Sequence, residues 1–171
     1  MIEKPDVIHT GRLCLRPMTD QDKDDVLDLL TDEEVTRTFM VPQFASREAA
    51  LPIFERFVET SRAPERFVYG IDLDGRLIGF LNDVEMTKDS VELGYVIHPA
   101  RKNCGYATET LDVAVAALFE MGFSRVRAGA FEENGASLRV MEKCGMTRTG
   151  ETEVLEYRGV VHRCILCEIR K

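Results

Sequence analysis

The chain has no long hydrophobic run, no excess of positive charge and no clustered cysteines or histidines. Each absence removes a class of function. Its longest apolar stretch is Val113–Phe119, far short of the ~20 residues that span a bilayer. Met1–Asp6 lacks the basic region and apolar core of a secretory leader. The expectation is a cytoplasmic protein with no membrane partner. Net charge is −8, whereas a chain gripping nucleic acid along its length should be basic, so no nucleic-acid partner is expected. The five cysteines (Cys14, Cys104, Cys144, Cys164, Cys167) are odd in number and scattered, as reduced thiols are. Cys164 and Cys167 are spaced C-x-x-C, but in a strand-like run where residues three apart face opposite ways. His9, His98 and His162 are far apart, so no metal site is expected.

What is present describes an ordinary folded domain. Hydrophobic residues make up 44% and charged residues 30% of the 171, which excludes disorder and suits one domain spanning 1–171. A chain of this length buries roughly 70% of its unfolded surface and needs no staple. Charge is uneven: the first 97 residues hold 11 basic and 20 acidic side chains, the rest 11 and 10. An acidic half beside a neutral one suits a site where an anionic ligand meets a cationic one.

Periodicity gives the elements. Arg12–Arg16 alternates and stops at Pro17, as a short strand does. Thr19-Asp20-Gln21-Asp22 forms a capping box ahead of Val26, Leu29 and Leu30 at helical spacing. Thr31–Glu34 opens a second helix. Ser46 caps a third, with Ile53, Phe54, Phe57 and Val58 as its stripe and Pro52 marking a kink or late start. The period then becomes two: Phe67–Asp72 and Arg76–Val84 flank the hairpin signal Asp74-Gly75, and Ser90–His98 follows. A helix over Gly105–Met121, a strand over Ser124–Ala130, a helix over Asn134–Cys144 and strands over Glu153–Tyr157 and Val160–Ile169 complete the order. The fold class is α/β with a mixed sheet. Its edges would allow a homodimer, which the sequence does not decide.

The informative stretch is strand Val91–Ile97, loop His98–Cys104 and the helix opening at Gly105. A loop feeding a helix N-terminus presents free amides and the positive dipole end. Gly105 and Ala107 are small where a ligand would approach, Thr108 adds a hydroxyl, and Arg101 and Lys102 add cations. These are the parts of a phosphate or pyrophosphate cradle. No Gly-Lys-Ser/Thr follows, and no G-x-G-x-x-G is present, so this is neither a Walker loop nor a dinucleotide fingerprint.

Lys102-Asn103-Cys104-Gly105-Tyr106-Ala107 resembles the R/Q-x-x-G-x-G/A acyl-CoA loop of the GNAT N-acetyltransferases. Thr10–Pro17 (TGRLCLRP), Gly105–Glu109 (GYATE) and Asn134–Met146 (NGASLRVMEKCGM) are similar to the R-L-x-L-R-P, G-Y-A-T-E and N-x-x-S-x-R-V-x-E-K-x-G-F segments of the RimJ/RimL branch. The resemblance spans about residues 8–150. It implies a GNAT-like acyltransferase fold whose central parallel strands, Val91–Ile97 and Ser124–Ala130, splay apart to admit acetyl-CoA. The pantetheine arm would pair with the backbone of Tyr95, Val96 and Ile97. The pyrophosphate would rest on the amides of Asn103, Cys104, Gly105, Tyr106, Ala107 and Thr108, with Lys102 alongside. A backbone N–H near Val96 would meet the thioester oxygen, a kind of donor worth ~3–4 kcal/mol. Attack would be direct, in keeping with a sequence that offers no Ser-His-Asp or Cys-His constellation.

By the same resemblance Asn134, a good N-cap in its own right, would also bond the pantetheine arm. Many relatives carry a proton-donating tyrosine where this chain has Met141, so Ser137 becomes the expected acid toward the departing thiolate. Glu92 becomes the expected base. Phe39, Met40, Phe131, Glu156 and Tyr157 are candidate walls for the amine acceptor. Deprotonating an α-amine at pH 7 costs ~1 kcal/mol and a lysine ~4.6 kcal/mol. One base and no obvious second therefore favour a protein or peptide N-terminus. Small amines such as polyamines or antibiotics, a non-catalytic acyl-CoA-binding module and nucleotide binding by the loop stay open as alternatives.

Overall fold

The structure, a computed structural model, describes residues 3–171. Eight strands form one mixed sheet among the described residues: β1 (Ile8–His9), β2 (Cys14–Arg16), β3 (Tyr69–Leu73), β4 (Arg76–Met86), β5 (Ser90–Ile97), β6 (Arg125–Phe131), β7 (Thr147–Tyr157) and β8 (Val160–Arg170). Their spatial order is β1-β2-β3-β4-β5-β6-β8-β7. Every neighbouring pair is antiparallel except β5 and β6. The expected class, α/β with a mixed sheet, is the observed one. Helices α1 (Lys23–Thr31), α2 (Glu33–Thr36) and α3 (Leu51–Arg62) lie between β2 and β3 in sequence. The other two, α4 (Tyr106–Glu120) and α5 (Gly135–Lys143), flank β6.

Both sheet faces are covered, so the core is split in two. On one face Leu111, Ala114, Val115 and Leu118 of α4 and Leu138 and Met141 of α5 pack on Val91, Leu93, Val126 and Ala128. On the other, Val26, Leu29 and Leu30 of α1 and Phe54 of α3 pack on Phe80 and Val96. Side chains alternate along a strand, so Glu92, Gly94 and Val96 face the α1–α3 side while Leu93 and Tyr95 face α4 and α5.

Several boundaries differ from the sequence reading. The strand expected over Arg12–Arg16 is shorter, and a two-residue strand, β1, pairs with it. The capping box at Thr19 forms, its amide donating to the Asp22 carboxylate at 2.7 Å, but it opens a 3-10 turn before α1. The third helix likewise begins with a 3-10 turn over Glu48–Ala50. Pro52 then sits in the first turn of α3, where a missing N–H costs nothing, so no kink results. Strand β7 starts at Thr147 rather than Glu153, because its irregularity between Arg148 and Thr152 hides the period of two. No helix among the described residues is long and apolar enough to cross a membrane.

Candidate active site

The sheet opens in its middle. β4 and β5 stay paired as far as Gly79↔Ile97, and β6 and β8 as far as Phe131↔Cys164. Between them, β5 and β6 pair only from Ser90↔Arg125 to Leu93↔Ala128. Beyond that point each strand follows its other neighbour, and Gly94–Ile97 faces Gly129–Phe131 across a wedge. The His98 amide donates to the Ile78 carbonyl at 2.7 Å, and the β4–β5 register runs unbroken from Gly79↔Ile97 to Asn82↔Gly94. Alternation along an antiparallel ladder therefore turns the Val96 amide toward β4 and those of Tyr95 and Ile97 toward the wedge. The donor expected near Val96 thus belongs to its two neighbours. The approach of β4 requires glycine: a Cβ on Gly79 would lie 2.1 Å from the Val96 carbonyl oxygen.

At the far end of β5 the loop leaves a run of amides free at the start of α4. The amides of Asn103, Cys104, Gly105, Tyr106, Ala107 and Thr108 make no hydrogen bond among the described residues; the first amide bonded back is that of Glu109, to the Gly105 carbonyl at 3.0 Å. Asn103 and Gly105 both have positive φ, 59° and 81°. Asparagine tolerates the left-handed region better than most residues, so the absence of a second glycine leaves the loop its curvature. Free amides at the N-terminus of a 15-residue helix form a site that a pyrophosphate fits. Lys102, however, turns aside: its ammonium pairs with Glu34 on α2. Cys104 is exposed, its thiol donating weakly to the Lys102 carbonyl.

A residue the sequence did not single out holds this loop. Arg12 donates from Nη1 to the Cys104 carbonyl at 2.9 Å, pairs with Glu109 at 2.7 Å and lies 4.5 Å over the Tyr106 ring. Burial works against ionised Glu109, but hydrogen bonds from Thr10 and Arg12 hold its carboxyl below the ordinary value. Glu109 is 97 positions from Arg12, so no local pattern could have paired them.

Ser137 and Asn134 meet the wedge from the first turn of α5. The Asn134 side chain accepts from the Ser137 amide at 3.3 Å, the expected cap, and its NH2 group makes no bond among the described residues. The Ser137 hydroxyl is not bonded to its own helix. It lies 2.8 Å from the Tyr95 phenol, which also reaches the Ser137 carbonyl at 3.3 Å. Burial pushes the Tyr95 phenol well above its ordinary pKa, with the Ser137 bond pulling weakly the other way. Met141 is fully buried in the core.

Glu92 faces the opposite side. A Cβ on Gly129 would lie 3.9 Å from its Oε1, so the carboxylate sits at the edge of the wedge. Burial raises its pKa; Arg127 opposes this and Glu85 and Glu153 add to it. Arg127 is itself drawn to Glu151 at 2.8 Å. On this face the loop after α2 meets the β7–β8 hairpin. The Tyr157 hydroxyl donates to the Thr36 carbonyl at 2.7 Å and lies 3.2 and 3.3 Å from those of Phe39 and Val41. Phe39 reaches to within 3.5 Å of where a Cβ on Gly94 would be. Phe131 stacks on His162, 4.0 Å between centroids, and His162 pairs with Glu133. Met40 is exposed. Glu156 alternates with Tyr157 and points to the other side of the hairpin, away from the wall expected of it. His162 had appeared only as one of three scattered histidines, and Glu133 was not singled out.

The arrangement is thus an amide cradle leading into an open strand edge, with a hydroxyl pair on one face and a carboxylate on the other. Residues 12–147 match the family profile described as acetyltransferase (GNAT) domain. The chain is 30% identical over 158 residues to the uncharacterized N-acetyltransferase YoaA of Bacillus subtilis (strain 168), covering 90% of this chain and 89% of that one. Its fold is similar to that of a ribosomal-protein-alanine acetyltransferase from Vibrio fischeri, with a TM-score of 0.80, 15% identity and 96% of each chain covered. It is similar also to spermidine N-acetyltransferase from Vibrio cholerae in complex with CoA and spermine, with a TM-score of 0.78, 17% identity and coverage of 94% and 96%. The profile match over most of its length makes this chain a member of the GNAT family of acetyltransferases, enzymes whose acetyl donor is acetyl-CoA.

Proposed function

We propose that the chain acetylates the α-amine of a protein or peptide N-terminus, in the manner of the RimJ/RimL branch. Acetyl-CoA supplies the activated acetyl thioester. The six free amides of Asn103–Thr108 receive the pyrophosphate, and Asn134 and the wedge-facing edge of Tyr95–Ile97 receive the pantetheine arm. The Tyr95 amide is the donor aimed at the thioester oxygen. Glu92 takes the amine proton on one face, and Ser137 donates toward the departing sulfur on the other.

One observation carries the choice of acceptor: the Glu92 carboxylate sits at the wedge edge, with its basicity raised by burial. A carboxylate base of this kind serves an α-amine, which is partly neutral at pH 7, better than a lysine. The fold shared with a ribosomal-protein-alanine acetyltransferase supports the same reading. A small polyamine is the second reading. Glu85 and Glu153 near Glu92 and the fold shared with a spermidine enzyme favour it. The test is acetyl-CoA consumption with short peptides of free N-terminus, the same peptides with a blocked terminus and an internal lysine, and spermidine. The proposal expects turnover on free termini and loss on blocking. Turnover on spermidine alone would replace it with the second reading, and no turnover on any amine would make the chain a non-catalytic acyl-CoA-binding module.

A further inference from the structure

We infer that Tyr95 is a positioning residue for the leaving group: its phenol donates to the Ser137 hydroxyl and so aims that serine's one proton at the departing sulfur. The inference rests on the acetyltransferase reading for its purpose and on the geometry around Ser137 for its content.

The two oxygens lie 2.8 Å apart, so one of them donates. A serine hydroxyl has a single proton. If Ser137 gave it to the phenol, nothing would be left for a thiolate. The phenol is the stronger acid of the two and the alcohol the better acceptor, so the proton between them belongs to Tyr95. The phenol's other hydrogen bond among the described residues is to the Ser137 carbonyl at 3.3 Å, too long to compete with a bond at 2.8 Å. The Ser137 amide is occupied by Asn134, which fixes the backbone from which the hydroxyl projects. Its remaining freedom is rotation of O–H about an oxygen already accepting from Tyr95.

The fold makes this contact available only because the sheet splits. Tyr95 lies two residues past the last β5–β6 pair. Three positions from Glu92, it points to the opposite face. There its ring packs against the core under α4 and α5, and its hydroxyl reaches the first turn of α5 across the opening. Met141, one turn further along α5 from Ser137, is sealed in the core. Tyr95, arriving from β5, is the side chain that backs the serine hydroxyl. Burial raises the phenol's pKa, which keeps Tyr95 a neutral donor throughout the working pH range and makes it unsuited to surrender its own proton.

The experiment compares wild type, Tyr95→Phe, Ser137→Ala and the double variant. The first readout needs no amine: the thiol pKa of bound CoA, followed by ultraviolet thiolate absorbance across pH. In wild type it lies below that of free CoA. Both single variants raise it, and the double variant matches Ser137→Ala. The second readout is turnover on the best acceptor. Tyr95→Phe lowers kcat about 10-fold with the KM for acetyl-CoA unchanged, and it costs nothing further in the Ser137→Ala background, as expected for groups acting as one unit. Phenylalanine keeps the ring, so the fold is retained; a melting temperature close to wild type confirms it. A bound-thiol pKa unmoved by Tyr95→Phe, or multiplicative losses in the double variant, overturns the inference. If wild type turns over no amine, the acetyltransferase reading fails while the CoA titration still decides the role of Tyr95.

Discussion

Replacing Gly79 with alanine should move the wedge without touching any group that meets a ligand through its side chain. A Cβ there would lie 2.1 Å from the Val96 carbonyl oxygen and 3.1 Å from Ile97 Cδ1. The first is backbone, so no rotamer change relieves it, and the two strands must part by about 1 Å to restore an ordinary contact. Overpacking of this kind costs ~1–3 kcal/mol. For a domain of this size each kcal/mol is worth about 2–4 °C, so the melting temperature should fall by roughly 2–12 °C. The displaced carbonyl belongs to the residue between the wedge-facing amides of Tyr95 and Ile97, which must move with it. Misplacement by ~1 Å typically costs on the order of 10²-fold in rate. The assay is thermal melting with and without acetyl-CoA, paired with kcat/KM. Gly11→Ala, where a Cβ meets nothing within 4 Å, is the control and should change neither. A Gly79→Ala protein that melts within about 1 °C of wild type and keeps its kcat/KM would refute the reasoning.

Other expectations follow from single contacts. Glu92 has a folded-state pKa raised above its unfolded value, mainly by burial, so the native state holds the proton more tightly than the unfolded chain. Stability from this group is therefore greatest at low pH and is lost as pH rises through the folded pKa. Glu92→Gln should accordingly melt higher than wild type at pH 7 and no higher below about pH 4, while kcat falls ~10²-fold; a variant that melts lower at pH 7 and stays active would contradict both halves. Arg12→Ala removes the bond to the Cys104 carbonyl and the cover over Tyr106; calorimetry should show the Kd for acetyl-CoA rising about 5-fold, the equivalent of ~1 kcal/mol, with kcat at saturation nearly unchanged. Tyr157→Phe keeps the ring beside Phe131 but loses the bonds to Thr36, Phe39 and Val41, so steady-state kinetics should show the KM for the amine rising several-fold while acetyl-CoA affinity holds.

Much of this molecule was legible because its signals are local. The alternation of Arg76–Val84 and Ser90–His98 about their turns, the stripe Leu111, Ala114, Val115 and Leu118, and the caps at Thr19 and Asn134 depend on residues within a few positions of each other. The run of free amides was legible for the same reason: loop, glycine and helix start are contiguous, and their amides are free by the geometry of any helix N-terminus. The irregular start of β7 and the two-residue β1 escaped, since a bulge or so short a strand carries no period to read.

What lay beyond the sequence is everything that joins distant segments. Arg12 and Glu109 are 97 positions apart, Lys102 and Glu34 are 68, Tyr157 and Thr36 are 121, and Tyr95 and Ser137 are 42. Glu92 and Ser137 were both named as candidates, but that they stand on opposite faces of one opening follows only from where β5 and β6 cease to pair. The sequence by itself determined most of the elements, the fold class and the run of free amides before α4, because hydrophobic period and capping are short-range physics. The tertiary structure alone decided which side chain backs which, because hydrogen bonds across a split sheet depend on register and strand order, and neither is written in local spacing.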